Sequence, residues 1–544
     1  MKFFIPVALL SVFCLSVRAQ EFFRPLNNDL NSLIDPELNK LNANFHTSLK
    51  PYLQSDVNKV VNYDSLLQKE LYVFPAGTYR SLFYRKLRRE DLVTLDTGDF
   101  HLTINPLLAG EIGRDLVNNK PTHLNTKGLM INGSIGAKFS FYTSYYENQG
   151  DFVTYIDTFI RSNNVVPGQG FKRDFKKGFD YGMASGYISF SPNKYFNFQF
   201  GHDKNFIGDG YRSLLLSDNS YNYPFFKITT TIWKIKYMNM LAQFQDIHDI
   251  IYAGAGNNYQ RKYMALHYLS YNVSKRLSLG LFETVVFSPY DTIGYRGIEM
   301  NYLNPVIFYR PIEYSLGSPD NMLMGLNWKY KLNNNNTLYG QIMIDEFKLH
   351  EVLDYSKGWY GNKHGLQFGL KSFHLFGVKN LSFQTEFNAV RPYAYSEVVH
   401  VINYAHYNQP LAHPLGSNFK ESISFLRYRY KSFYGVLKIM YAIHGEDTAG
   451  QNLGNDLYKS YLTALGKFTD DTKGHEHGTF IGMGLQKTLT YTDLRVGYIL
   501  NPKTNLCAEM GISYRTISDV HDASYTNFIY VGIKTALNNF YYDF

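Results

Sequence analysis

The sequence predicts an all-β fold, a transmembrane outer-membrane β-barrel of about 18 antiparallel strands with a short N-terminal α-helical element. Three observations predict it: an export signal, a composition rich in Tyr and Phe but poor in charge, and a hydrophobic period of two across most of the chain.

The export signal comes first. Met1-Lys2-Phe3-Phe4 leads into an apolar run from Ile5 to Val17, and Val17-Arg18-Ala19 precedes Gln20. A basic start, a short apolar core and a small-x-small exit describe a secretory signal peptide over residues 1–19. The run is too short to cross a bilayer, which needs about 20 residues. Phe13 stands where a lipoprotein signal has a small residue before its cysteine, so Cys14 is not read as a lipid anchor. Past residue 20 no run of about 18 apolar residues follows, so strands must do any spanning. Cys507 is then the only cysteine of the exported chain, which excludes an internal disulfide.

Composition narrows the class. The 544 residues include 47 Tyr, 41 Phe and only 3 Trp. Charged residues make up 18%, below the usual ~25%, yet the mean hydropathy is −0.27. Strands with one apolar and one wet face have this balance. A secreted soluble propeller or sandwich shares it and stays open on composition alone. The net charge of +8 is spread thinly, with no long basic block, which excludes a nucleic-acid partner.

Two zones follow the signal. From residue 20 to 95 the spacing is helical: Leu30, Leu33, Ile34, Leu38, Leu41 and Phe45 recur at intervals of three and four. A second helix is expected over Ser81–Arg89, its basic face solvated, on lipid headgroups, or lining a barrel mouth. This zone is expected in the periplasm or as a plug. The barrel is expected over 96–544. There Phe100, Leu102 and Ile104 alternate with His101, Thr103 and Asn105, and Leu366, Phe368 and Leu370 alternate with Gln367, Gly369 and Lys371. Ile481, Met483 and Leu485 alternate likewise, as do Leu506 to Tyr514 with Cys507 to Arg515. Neighbouring strand residues face opposite sides. An apolar face this long, repeated this often, fits a closed barrel that pairs every backbone group within lipid. The other face carries Glu386, Arg427, Arg429, Arg495, Glu509 and Arg515, expected inward over a wide lumen. The ending Phe540-Tyr541-Tyr542-Asp543-Phe544 resembles the aromatic assembly signal that barrel-insertion machinery reads on a last, lipid-facing strand.

Polar interruptions at 147–178, 201–224, 290–319, 390–419 and 449–478 are the expected outward loops, and function is expected there or in the lumen. Three runs concentrate chemistry. The first holds Asp203, Lys204, Asn205, Asp209 and Arg212; the second, Asn304-Pro305 to Asp320, holds Arg310 and Glu313; the third holds Arg391, His406, Asn408 and His413. Tyr faces stack on sugar rings, polar groups bond hydroxyls, and Arg grips acidic sugars bidentately. The alternative is a fixed polar network that folds the loops inward as a plug, with Arg310 and Glu313 paired to each other. The glycines of the first run lack phosphate-loop spacing. Asp203 and Asp209 would serve glycoside hydrolysis only at roughly 5–9 Å around a bound sugar. His475-Glu476-His477 beside Asp470-Asp471 reads as a solvated loop before a metal site. No catalytic residue, metal or cofactor is assigned, and no enzyme is expected.

The Gly-x-Asp-Lys-Asn-x-x-Gly-Asp-Gly run (with His202 at x), the Asn-Pro…Arg-Pro-x-Glu run and the His-Tyr-Asn-Gln-Pro-Leu-Ala-His-Pro-Leu-Gly run resemble the Wzi-type capsule-assembly family. More closely they resemble its RemB-type gliding-motility relatives. That resemblance implies a non-enzymatic, lectin-like barrel supporting polysaccharide attachment or gliding and adhesion. Its expected partners are surface polysaccharide or another glycan, outer-membrane lipid, the barrel-assembly machinery, and motility or adhesin proteins. The alternative is a channel or transporter for small polar solutes, suggested by the charged inner face.

Overall fold

A computed structural model describes residues 22–71, 81–253, 257–290, 294–306, 308–317, 320–346, 348–448, 451–461 and 476–544. The signal stretch, Asp470, Asp471 and His475 lie outside the described residues.

Eighteen long strands follow one another around a closed antiparallel barrel. The first six are β1 Phe100–Asp115, β2 Lys120–Ile135, β3 Phe139–Asp151, β4 Gly178–Phe190, β5 Phe196–Asp203 and β6 Tyr223–Ile232. Next come β7 Ile235–Ala253, β8 Asn257–Tyr271, β9 Leu277–Phe287, β10 Asn321–Lys331, β11 Asn336–Glu346 and β12 Lys363–Phe373. The last six are β13 Leu381–Val390, β14 Phe419–Tyr430, β15 Phe433–Glu446, β16 Leu485–Asn501, β17 Leu506–Ser518 and β18 Ala523–Thr535. Each pairs with the next, and β18 returns to β1 from Phe528↔Asp115 to Lys534↔Ala109. Closure pairs the backbone without a free edge, which the membrane interior demands. Two short strands extend the sheet locally, Val93–Thr97 along β1 and Arg173–Phe175 along β4.

The period of two governs the wall. On β16 and β17, Leu494, Val496, Met510, Ile512 and Tyr514 are exposed outward, whereas Asp493, Glu509 and Arg515 point in and are buried. This apolar belt and closed topology place the protein in the outer membrane. Two-residue turns such as 233–234 and 431–432 mark the periplasmic end. Loops 152–177, 204–222, 288–320, 347–362, 391–418 and 447–484 mark the outer end.

Three local expectations change. The helical spacing from Leu30 to Phe45 gives two single turns, α1 Asn28–Asn31 and α2 Asp35–Leu38, in place of one helix. The Asn27 side chain caps the first by accepting from Leu30 N at 2.8 Å, and Pro36 sits in the first turn of the second. Ile34, Leu38 and Phe45 still share one core with Tyr52 and Val57. At Ile481 and Met483 the alternation makes no strand, because Gly482 and Gly484 take φ of +91° and +93°. The ending is the largest change. The last strand stops at Thr535, and residues 536–544 turn into the lumen, so Phe544 is not the end of a lipid-facing strand. Its ring packs on Phe159 at 4.7 Å and its carbonyl accepts from Arg515 Nε at 3.0 Å.

Residues 22–71 occupy the periplasmic half of the lumen. They add α3 Gln54–Asn58 and α4 Tyr63–Glu70. Leu49 pairs with Ile207 of loop 204–222. Lys331 near a periplasmic turn donates to the carbonyls of Lys40 and Ala43 at 2.8 and 3.0 Å, and Lys236 pairs with Asp56 at 2.7 Å. The basic helix α5 Leu82–Arg88 lies outside the wall. Its Arg88 guanidinium rests 5.0 Å over the outward ring of Tyr498, and Asn501 donates to Lys86 O at 3.0 Å.

Candidate functional site

The lumen is filled by loop 204–222, loop 391–418 and the C-terminal tail, which meet around buried charges. Arg212, 1% exposed, is central. Its Nη2 lies 2.9 Å from Glu421 Oε1 and 3.1 Å from Asp543 Oδ1. Lys438 reaches the other oxygen of Asp543 at 2.9 Å, and Tyr211 OH donates to it at 3.0 Å. Burial alone would raise the Asp543 carboxyl, but Arg212 and Lys438 outweigh it and hold it well below the usual carboxylate range. His413 shares Glu421 at 2.8 Å, while its Nδ1 accepts from Leu415 N. Burial pushes this imidazole below its ordinary pKa despite the adjacent carboxylate.

A second carboxylate fixes the tip of loop 204–222. Glu386 accepts from the backbone N–H groups of Tyr211 and Arg212 at 2.9 and 3.1 Å. Gly210 makes this possible, because a Cβ there would fall 2.2 Å from Glu386 Oε2. Asp209 accepts from Thr47 and from Asn327 at 3.1 Å, with Lys329 at 3.9 Å, so it ties the loop to both plug and wall. Lys204 donates to the carbonyls of Gly168 and Asp218 at 2.7 and 3.0 Å, and burial pulls its ammonium down to about 8. Asn205 accepts from Lys227 at 2.8 Å. Asp203 accepts from Lys204 N at 2.9 Å at the head of β5.

The third run is equally occupied. His406 accepts from Gln245 N at 3.0 Å and donates to Asn222 O at 3.2 Å; burial drives its pKa to about 3, keeping it neutral. Asn408 donates to Asn163 O at 3.2 Å, and Arg391 reaches the carbonyls of Trp359 and Thr479 at 3.1 and 3.2 Å.

The second run is elsewhere. Arg310 is exposed and pairs with Glu313 at 2.9 Å on the outer wall, so these two take no part in the lumen. An Arg-Pro-x-Glu run reads the same on either side of a barrel, and only packing decides. Arg310 therefore shares no pocket with Asp203, Arg391 and His413. A cavity of 720 Å³ lies instead between plug, tail and wall, with Asp29, Arg427, Arg429, Arg495, Glu509 and Lys534 among its lining. Its charges are internally paired, Asp29 with Arg495 at 3.2 Å and Glu509 with Lys534 at 2.5 Å. Among the described residues no cluster of three His, Cys, Asp or Glu could hold a metal. Glu421 was legible in the alternation of β14, while nothing in the sequence marked Asp543 as lumenal.

The fold and its buried network define a class, the plugged outer-membrane β-barrel. Among solved structures the chain is similar to Wzi of Escherichia coli, an outer-membrane protein involved in group 1 capsule assembly and described as a carbohydrate-binding β-barrel. The TM-score is 0.56 at 13% identity, covering 95% of this chain and 100% of Wzi. Weaker likenesses are to OpdK of Pseudomonas aeruginosa, crystallised with vanillate (TM-score 0.43, 9% identity, 80% of this chain and 98% of that one), and to its OprD (0.40, 10%, 79% and 94%). No family model and no curated protein matches the sequence. At such identity the likeness to Wzi speaks for the fold.

Proposed function

We propose that this chain is a non-enzymatic, lectin-like outer-membrane barrel that holds surface polysaccharide for capsule-type attachment or for gliding and adhesion. The supporting observation is the lumen filled by the Arg212–Glu421–Asp543 network, which suits a rigid anchor better than a passage. The likeness to a carbohydrate-binding barrel agrees with this reading, as do the three runs that resemble Wzi-type and RemB-type proteins. In this proposal Asp203, Lys204, Asn205, Asp209, Arg212, Arg391, His406, Asn408 and His413 hold the outer loops in shape, and sugar contact falls to side chains exposed above them. Tyr290 and Tyr295, exposed with ring centroids 5.2 Å apart, offer such a stacking surface. With Asp209 enclosed by Thr47, Asn327 and Lys329, the acid–base pairing with Asp203 has no open face for a sugar.

The second reading, a channel for small polar solutes, draws on the charged wall of the 720 Å³ cavity. The test is retention of polysaccharide from the protein's own host by the purified barrel, beside a Tyr290→Ala/Tyr295→Ala variant. The proposal expects retention by the first and reduced retention by the second. Absence of retention, with capsule and spreading unchanged in a deletion strain, would overturn it.

A further inference from the structure

The lipid-facing belt is overlaid at one place. Phe200 and Phe226 on β5 and β6, and Leu281 on β9, are exposed outward, but on β7 and β8 the outward apolar side chains, Tyr237, Leu241, Tyr263 and Leu269 among them, are half-buried. Their outward row includes Asn239 and His267, and the neighbouring outward position on β9 is Glu283. Side chains of the other parity confirm this direction: Tyr268 bonds Ser48 of the plug, and Gly325, paired with Phe282, faces Leu215 of the lumenal loop. A bare carboxylate and imidazole on a membrane wall are unfavourable.

Loop 288–320 covers them. It leaves the outer end of β9 and folds back along the outside of the barrel. The N–H groups of Phe308, Tyr309 and Arg310, at the start of α6 Tyr309–Leu316, all donate to Glu283, the first at 2.6 Å and the third at 3.2 Å. The Tyr309 ring stacks on His267 with centroids 4.2 Å apart, and its hydroxyl lies 3.0 Å from His267 Nε2. Tyr237 OH donates to Pro305 O at 2.9 Å. Tyr302, Tyr309 and Ile312 pack on Ala265, Val285, Phe287 and Met322. Asp320 closes the base, accepting from Tyr302 OH at 2.8 Å and Arg296 at 2.5 Å. The polar underside is thus used up against the wall, while Met300, Leu303, Val306, Phe308 and Leu316 are exposed on the far side.

We propose that residues 300–306 and 308–316 of this loop form an intramembrane lobe whose outer face contacts the acyl chains of outer-leaflet lipid, below Tyr290 and Tyr295. Its partner is bilayer hydrocarbon, because its exposed apolar side chains carry the belt over the wall positions it covers, between the outward Phe226 of β6 and Leu281 of β9. The Arg310–Glu313 pair lies at headgroup level, its long stems reaching out of the apolar layer.

The test is collision accessibility of spin labels in lipid nanodiscs. Single cysteines are introduced as Met300→Cys, Val306→Cys and Phe308→Cys in a Cys507→Ala background. References are Val531→Cys on the lipid-facing side of β18 and Val520→Cys in an exposed turn. The expected oxygen-to-nickel-chelate ratio at the three lobe sites matches Val531→Cys and exceeds Val520→Cys several-fold. Ratios equal to Val520→Cys would place the lobe in water and overturn the proposal. Labels closed to both reagents would mean a protein partner, such as a second copy, and would overturn it too. A Glu283→Gln change is expected to raise nickel access at residue 306 several-fold while unfolding is unchanged at the barrel; unaltered access would remove Glu283 as the clamp.

Discussion

The runs Lys204–Asn222 and Asn304–Asp320 are built from the same residue types, Asn, Asp, Tyr and Arg with interspersed glycine or proline, yet they settle on opposite sides of one wall. In the lumen, the first run places Arg212 between carboxylates from β14 and the tail, and its own backbone caps Glu386. On the outside, the second run brings no side-chain charge to the wall's Glu283. It satisfies the outward Glu283 with three backbone N–H groups and presents apolar side chains beyond. The difference teaches that a charged group buried in a barrel needs a partner charge where segments can converge, and backbone dipoles where only one segment is near.

The largest effect is expected from Arg212→Met. It leaves Glu421 buried without its guanidinium and Asp543 with Lys438 alone, which costs about 3–5 kcal/mol. Urea unfolding of the refolded barrel in detergent measures it. Trypsin sensitivity of the outer-wall loop at Arg296 is expected to stay as in the parent; if it rises in step, the two regions are coupled and the contrast fails.

Asp543→Asn is expected to cost less, about 1.5–3 kcal/mol for charge-assisted hydrogen bonds, and to change the acid limb of stability. The folded carboxyl of Asp543 titrates below its unfolded value. Its contribution is therefore complete above a pH of about 4 and is lost as the pH falls toward the folded pKa, at up to about 1.4 kcal/mol per pH unit. Unfolding midpoints at successive pH values should show this loss in the parent and a shallower slope in Asp543→Asn. Equal slopes would show that the tail carboxylate is not held by Arg212 and Lys438.

Glu283→Gln sharpens the comparison from the other side. One charged acceptor is lost while the backbone donors remain, so about 1 kcal/mol is expected, read as faster tryptic cleavage of the lobe with an unaltered urea midpoint. The smallest effect is expected from Phe544→Ala. The last strand ends at Thr535, so assembly into the outer membrane should proceed as in the parent, by heat-modifiable migration on gels. Accumulation of unfolded chain would return Phe544 to the role of assembly signal.

The barrel was legible because period two is a local signal repeated on every strand, and the polar loops announced their places by interrupting it. The helical spacing of residues 30–45 marked which side chains are buried, but Pro36 broke the helix they suggested. The chemistry of Asp209, Arg212 and His413 was also visible, since such residue types cluster where a lumen must be satisfied. Their pairings were not. Glu421 and Glu386 are 209 and 174 residues from Arg212, and the inward path of residues 536–544 follows a strand whose outward pattern ends without a turn signal. Arg310 and Glu313 were misplaced for the same reason, because a loop's composition does not say which side of a wall it folds against.

The Arg212–Glu421–Asp543 network in the lumen supports the proposed function, and conductance across a planar bilayer tests that reading most directly. Insertion of the purified parent protein is expected to give no steady open level, whereas Arg212→Met, with loop 204–222 and the tail loosened, gives intermittent openings. A steady, porin-like open level from the parent protein would contradict the account.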